Sequence, residues 1–211
     1  MRNAYAIVGI AGLIVFAGAA YAFNRSFTQL RPATAGPRDT VSTQTRTGAP
    51  TTMSTSTLTL TSPAFGEGAS IPSRFTCDGD RSVSPALVIA GVPDGTKSLA
   101  LIMDDPDVPK ALHADGVFDH WVLFNIPAET REIPEGGSVG IAGANGAGKN
   151  AYTGPCPPPQ YEPSEHRYVF KLYALDSELP LQAGATKADV EKVMEGHIVA
   201  QTELVGTYKR K

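Results

Sequence analysis

The sequence predicts a mainly β, largely antiparallel domain, because several segments carry the residue pattern of strands. Residues 98–105 (SLALIMDD) form a continuous apolar run, as expected of a buried strand. Residues 120–127 (HWVLFNIP) and 166–176 (HRYVFKLYALD) are rich in aromatic and β-branched residues, and residues 58–65 (LTLTSPAF) alternate. Breakers such as VPDG at residues 92–95 separate these segments, which favours turns between them.

One peripheral helix is expected near the C-terminus. Thr186 and Asp189 have the spacing of a capping box, and Gly196 can end the helix. The apolar face of this helix comprises Val190, Val193 and Met194. Residues 197–208 could extend the helix or form a strand, and Gly196 favours the strand.

The N-terminal residues predict export. Residues 4–23 are uncharged and mostly apolar, Arg2 precedes them, and Ala20 and Ala22 give the Ala-x-Ala ending of a secretory signal peptide. The run is also long enough for an apolar helix that spans a bilayer. Residues 1–23 are therefore predicted to be a signal peptide cleaved after Ala22, or an uncleaved anchor that contacts the membrane. Either prediction places the domain in the periplasm or on the outer face of the inner membrane.

Composition divides the remainder into a tether and a domain. Residues 24–57 are rich in Thr, Ser, Pro, Ala and Gly and lack an apolar pattern, so they are predicted to be a flexible tether. Residues 58–211 are predicted to form the folded domain. Residues 1–57 hold five Arg and one Asp, a net charge of +4, which leaves −7 for the domain out of a total of −3. An acidic domain argues against a nucleic-acid partner.

Residues 143–150 (GANGAGKN) look like a nucleotide-binding loop, but their context does not fit. Such a loop leads into a helix whose N-terminus faces the phosphates. Five prolines between residues 155 and 163 exclude that helix, and Asn150 replaces the Ser or Thr that would meet magnesium. We interpret the segment as a glycine-rich loop of another kind.

Other patterns that can indicate catalysis or metal binding also lack the surrounding residues they require. Residues 136–140 (GGSVG) match the G-x-S-x-G pattern of hydrolases, yet Ser138 lacks the preceding strand and following helix. The four histidines form no H-x-x-x-H pair, so neither a metal nor another cofactor is predicted. Cys77 and Cys156 could form one disulfide in an exported protein, but their spacing alone does not show that they meet.

Polar residues collect where the predicted strands begin and end. Residues 104–109 (DDPDVP) close one strand, His120 opens the next, and His166 and Tyr168 open a third. Side chains two apart on a strand share a face, so His166 and Tyr168 should point the same way. Residues 154–158 (GPCPP) form a stiff loop that suits a pocket wall.

These segments resemble the phosphatidylethanolamine-binding proteins, specifically their bacterial Raf-kinase-inhibitor-like (YbhB/YbcL-type) branch. The resemblance covers residues 58–208 and rests on FTCDG, DPDVP, GPCPP, HRY and GHIVAQTELVGTY in this order. It implies a two-sheet antiparallel β-sandwich with a few short peripheral helices and a small anion-accepting pocket at one end. The pocket residues that it implies are Asp105, Asp107, Pro109, His120, Cys156, Pro157, Pro158, His166 and Tyr168.

The resemblance also implies non-enzymatic binding of a phosphate-type anion or a phospholipid head group. In that hypothesis Asp105 orients and charges a histidine, because a nearby carboxylate favours imidazolium. The alternative is a protein partner, with the chain acting as an inhibitor of a protease or kinase. A purely structural network of Asp105, His120 and His166 is a third interpretation. A hydrolase that uses His120 or His166 as a base is a fourth, although it lacks an obvious nucleophile.

Overall fold

The computed structural model describes residues 57–210. The predicted apolar N-terminal helix, whether signal peptide or anchor, and nearly all of the predicted tether lie outside these residues. Between residues 57 and 210, none of the helices has the length and apolar character that crossing a bilayer requires.

The described residues form two antiparallel sheets. The strands are β1 (Thr59–Thr61), β2 (Leu87–Ala90), β3 (Ser98–Asp105), β4 (Phe118–Pro127), β5 (Glu132–Ile133), β6 (Ile141–Ala142), β7 (Glu165–Leu175) and β8 (Ile198–Lys209). The smaller sheet has the order β1-β2-β5 and the larger sheet the order β6-β4-β3-β7-β8, with every neighbouring pair antiparallel. The mainly β, two-sheet prediction is therefore confirmed.

Strand β3 lies at the centre of the larger sheet, and all eight of its residues are buried. Successive side chains of a strand point to opposite faces. Leu99, Leu101 and Met103 pack into the apolar core that the two sheets share. Ala100 and Ile102 pack into a second core on the other face. Burial on both faces explains why this segment reads as a continuous apolar run.

The second core is covered by helix α1 (Lys187–Met194), whose Val190 and Met194 are buried. Its capping box is present, since Thr186 Oγ1 accepts from the Asp189 amide and Asp189 Oδ2 accepts from the Thr186 amide. Gly196 has φ of +81°, a conformation that ends helices readily. The chain then forms β8, which confirms the predicted strand. A short 3₁₀ helix at Ser73–Phe75 completes the helical structure of the described residues.

The alternation along β3 separates its two terminal carboxylates. Asp104 points toward α1, where its oxygens accept from Lys171 Nζ at 2.8 Å and Lys187 Nζ at 3.0 Å. Lys187 also donates to Asp119 at 2.9 Å. Asp105 points to the opposite face, away from these lysines. Asp104 therefore holds α1 in place, whereas Asp105 is available on the opposite face of β3 for a binding site.

Cys77 and Cys156, whose pairing the sequence did not determine, are joined by a disulfide, and their Cα atoms are 5.3 Å apart. The Cys77 amide also donates to the Pro155 carbonyl at 3.0 Å. The GPCPP segment is therefore held covalently and by backbone against the turn that follows Ser73–Phe75.

Candidate functional site

A cavity of about 350 Å³ opens at one end of the larger sheet. Strand β3 runs antiparallel to both β4 and β7, so the C-terminal end of β3 lies beside the beginnings of the other two. This arrangement brings together Asp105 from β3, His120 from β4 and His166 from β7. Loops complete the lining with Arg81, Val108, Leu112, His113, Gly154, Cys156, Pro157 and Pro158.

Six of the nine sequence-predicted site residues line this cavity. They are Asp105, His120, Cys156, Pro157, Pro158 and His166. The other three, Asp107, Pro109 and Tyr168, lie outside the lining and support it.

Asp107 is engaged with Arg167 rather than with the cavity. Its carboxylate accepts from the Arg167 backbone amide at 2.8 Å, from Nε at 2.9 Å and from Nη2 at 2.7 Å. The Arg167 guanidinium holds the pKa of Asp107 below its usual value. The carbonyl of Pro109 accepts from the Leu112 and His113 amides in the following turn. Asp107 and Pro109 therefore shape the loop after β3, and their functional groups are already satisfied.

Asp105 is the polar centre of the site and is 3% exposed. Its Oδ1 accepts from the Asp107 amide at 2.9 Å, and its Oδ2 lies 2.7 Å from His166 Nδ1. Because a carboxylate only accepts, Nδ1 of His166 must carry a proton. Nε2 of His166 is buried and has no hydrogen-bond partner among the described residues.

His120 faces the same carboxylate from the other side. Its Nδ1 donates to the Thr153 carbonyl at 2.5 Å, and its Nε2 lies 4.0 Å from Asp105 Oδ2. Burial lowers the pKa of His120 below its ordinary value of 6.5, so the ring is neutral at pH 7. The unprotonated Nε2 and the carboxylate are therefore two acceptors, set too far apart for a direct hydrogen bond.

Tyr168 lies two residues after His166 and packs edge-on against the ring of His120, with centroids 5.2 Å apart. Its side chain is fully buried, and its hydroxyl makes no hydrogen bond of acceptable geometry with the described residues. Burial and then the charge of Asp105 raise the pKa of Tyr168, so the hydroxyl stays protonated. Two buried polar groups next to Asp105, this hydroxyl and His166 Nε2, thus lack protein partners.

Apart from Asp105, His120 and His166, most of the cavity lining is apolar. The apolar lining residues are Val108, Leu112, Phe118, Pro157 and Pro158, and the lining also includes exposed Arg81 and half-buried His113. The sequence prediction missed Arg81, Val108, Leu112, His113 and Phe118. Phe118 was detectable, because it precedes His120 by two residues and therefore shares its face of β4. The other four lie in loops, where no periodic pattern indicates direction.

The glycine-rich loop 143–150 supports the site without lining it. Asn145 donates to Thr153 Oγ1 at 2.9 Å and to the Ala151 carbonyl at 2.8 Å, and so positions the partner of His120. A Cβ on Gly146 would lie 2.8 Å from the Phe118 ring, so glycine permits the close approach. No helix follows the loop in residues 151–164.

Ser138 lies apart from this chemistry. It lines a second cavity of about 120 Å³ together with Ser82, Ser84, Trp121 and Asn150, and none of the described histidines lines that cavity. Among residues 57–210, no group of three or more His, Cys, Asp or Glu side chains is arranged to hold a metal ion.

The sequence was compared with models of known protein families. The family model described as phosphatidylethanolamine-binding protein matches residues 61–209. The chain belongs to the phosphatidylethanolamine-binding protein family. This confirms the resemblance that the motifs indicated.

Relatives and solved structures of this family are similar over the same domain. A UPF0098 protein of Chlamydia pneumoniae is 43% identical over 152 residues, which cover 72% of this chain and 98% of that protein. A putative phosphatidylethanolamine-binding protein homolog of Chlamydia trachomatis superposes with a TM-score of 0.69 at 40% identity, covering 74% of this chain and 99% of that one. YbcL of E. coli gives a TM-score of 0.64 at 28% identity, covering 73% and 99%.

Proposed function

We propose that this phosphatidylethanolamine-binding protein family member binds a small phosphate-type anion, free or as a phospholipid head group, in the cavity that Asp105, His120 and His166 line. The observation that carries the proposal is the pair of buried groups without protein partners, the Tyr168 hydroxyl and His166 Nε2. Buried polar groups are normally hydrogen-bonded, so a ligand or water is needed to satisfy these two.

The charges around these groups suit an oxyanion when His166 is protonated. Nε2 is then a donor, and Asp105 balances the imidazolium at 2.7 Å. The Tyr168 hydroxyl is proposed as a second donor, because Tyr168 packs against the lining residue His120 although it does not itself line the cavity. The neutral ring of His120 carries no charge, and its unprotonated Nε2 offers the anion no donor. Phosphate oxygens accept such hydrogen bonds, and charge-assisted ones are about twice as strong as neutral ones.

The cavity volume of about 350 Å³ leaves space beyond a phosphate group. The apolar wall formed by Val108, Leu112, Phe118, Pro157 and Pro158 supports an attached organic substituent, as an ester of phosphate would carry. We further propose that binding occurs without chemical turnover, because the described residues that line the cavity include no serine or threonine, and their one cysteine, Cys156, is in a disulfide. We also propose that the protein is located in the cell envelope, which the predicted export segment at residues 1–23 supports.

The test is a calorimetric titration of the purified protein with inorganic phosphate and with O-phosphoethanolamine. Tyr168→Phe removes one buried hydroxyl at almost constant volume and should weaken both ligands about tenfold. His166→Gln should weaken them at least as much. His197→Gln, which changes an exposed histidine paired with Asp176, should bind like the wild type. Absence of saturable binding, or wild-type affinity in Tyr168→Phe and His166→Gln, contradicts the proposal.

Turnover is measured in the same samples. Release of inorganic phosphate from O-phosphoethanolamine that is lost in His166→Gln would show a hydrolase instead of a binding protein. We expect no release above that of the buffer.

A further inference from the structure

The backbone of Arg81 is fixed against the wall of the cavity. Its carbonyl accepts from the Gly154 amide at 2.7 Å, and a Cβ on Gly154 would lie 3.1 Å from Arg81 Cα. The turn around it is closed by Asp80, whose Oδ1 accepts from the Ser82 amide at 2.9 Å and whose carbonyl accepts from the Val83 amide at 3.1 Å. The exposed side chain therefore starts from a defined point at the cavity mouth.

The guanidinium of Arg81 differs from those of the other arginines in residues 57–210 because it has no partner among these residues. Four of the five have side-chain partners in the protein: Arg74 with Glu135, Arg131 with backbone carbonyls, Arg167 with Asp107, and Arg210 with Asp78. The side chain of Arg81 makes neither an ion pair nor a hydrogen bond with these described residues. It is thus an unmatched positive charge on the lining of a cavity.

Arginine binds phosphate through a planar fork that contacts two oxygens at once. A phosphate monoester has three terminal oxygens, so it can offer two to Arg81 and one to the buried donors at His166 and Tyr168. A phosphate diester has only two terminal oxygens and one negative charge, so it cannot give two oxygens to Arg81 and a third to the buried donors, and it attracts the guanidinium less. We propose that Arg81 contacts the ligand and selects dianionic phosphate monoesters over monoanionic diesters, which narrows the proposed ligand to a free phosphate ester rather than a diester head group of a phospholipid.

This selection rests on the proposed function, and the experiment separates the two. Phenyl phosphate and methyl phenyl phosphate share an aromatic substituent and differ in the number of terminal oxygens and in charge. Both are titrated calorimetrically at pH 7, where the monoester is mainly a dianion because its second pKa is about 6. The wild type should prefer phenyl phosphate by about tenfold.

Arg81→Gln should lose about tenfold in affinity for phenyl phosphate and less than threefold for methyl phenyl phosphate, so that the preference disappears. Arg81→Lys keeps the positive charge but lacks the planar fork of donors. Its affinity for phenyl phosphate should lie between those of the wild type and Arg81→Gln. Arg131→Gln removes an arginine that donates to backbone carbonyls and does not line the cavity, so it should leave both affinities unchanged.

The outcomes are distinct. A wild type that binds neither compound overturns the proposed function and this inference together. A wild type that binds phosphate esters, with an unchanged preference in Arg81→Gln, overturns only the role of Arg81. A loss of preference in Arg131→Gln as well would show a general charge effect and also exclude a specific contact.

Discussion

His120 and Thr153 hold each other through two hydrogen bonds. His120 Nδ1 donates to the Thr153 carbonyl at 2.5 Å, and the Thr153 amide donates to the His120 carbonyl at 3.0 Å. The ring orientation and the tautomer of His120 are therefore set by the loop that precedes the GPCPP segment. Burial, which opposes the charged form of the ring, then determines its protonation state.

The stability of the protein should depend on pH through His120. Because burial lowers the folded-state pKa below 6.5, the unfolded chain takes up a proton on this residue at pH values where the native protein does not. The free energy of unfolding contributed by the neutral ring is therefore fully present above pH 6.5. It falls as the pH drops below that value, by at most about 1.4 kcal/mol per pH unit for one group.

Urea unfolding between pH 7.5 and 5 measures this dependence. His120→Gln removes the titrating ring, so its slope below pH 6.5 should be shallower than that of the wild type. The other three histidines are common to both proteins, and the difference in slope reports His120 alone. Identical slopes in the two proteins would show that the ring titrates normally.

Gly154 should tolerate no side chain. A Cβ at this position would overlap the Phe75 carbonyl and lie 3.1 Å from Arg81 Cα, and both neighbours are backbone atoms that cannot rotate away. We expect Gly154→Ala to lower the free energy of unfolding by about 3 kcal/mol or more, in the upper range for overpacking. Gly66→Ala is the matched control, because a Cβ at Gly66 meets nothing within 4 Å. Chemical denaturation of both variants tests this, and equal stabilities would contradict it.

The charge network beneath α1 should depend on Asp104. This carboxylate is 2% exposed and accepts from both Lys171 and Lys187. Asp104→Ala leaves two partly buried lysines without their shared partner, which should cost about 3–5 kcal/mol. The exposed pair of Arg74 and Glu135 provides the comparison, since Glu135→Ala should cost less than about 1 kcal/mol.

Thermal and urea unfolding of these two variants measure the difference. Comparable losses in Asp104→Ala and Glu135→Ala would mean that Lys171 and Lys187 find solvent or other partners when Asp104 is absent. We expect the far-ultraviolet spectrum of Asp104→Ala to retain its strand signal, because the core between the two sheets does not include this residue.

The long elements were predictable because burial imposes a pattern on them. Strand β3 was predicted with its observed limits, and α1 with its observed capping box. Strands β2, β5 and β6 were not predicted. They have four, two and two residues, too few for periodicity to emerge, and their pairing depends on distant partners.

The site residues at strand ends were also predictable, whereas most of those in loops were not. Asp105, His120 and His166 stand at strand ends, where chain order and antiparallel pairing indicate that they meet. Asp107 was predicted to line the pocket, but Arg167 is its neighbour across the strands and takes both carboxylate oxygens. Arg81 was not predicted, because its position depends on a turn that Asp80 and Gly154 fix by backbone contacts with no sequence periodicity.

Residues 67–71 cover the outer edge of β8 near the C-terminal end of this strand. The Gly68 amide donates to the Val205 carbonyl, the Ile71 amide to the Thr207 carbonyl, and the Thr207 amide to the Ala69 carbonyl. Glu67 Oε2 accepts from the remaining Val205 amide at 3.0 Å. Strands of other molecules cannot add to the sheet at these positions, so this fold carries its own protection against edge-to-edge aggregation there.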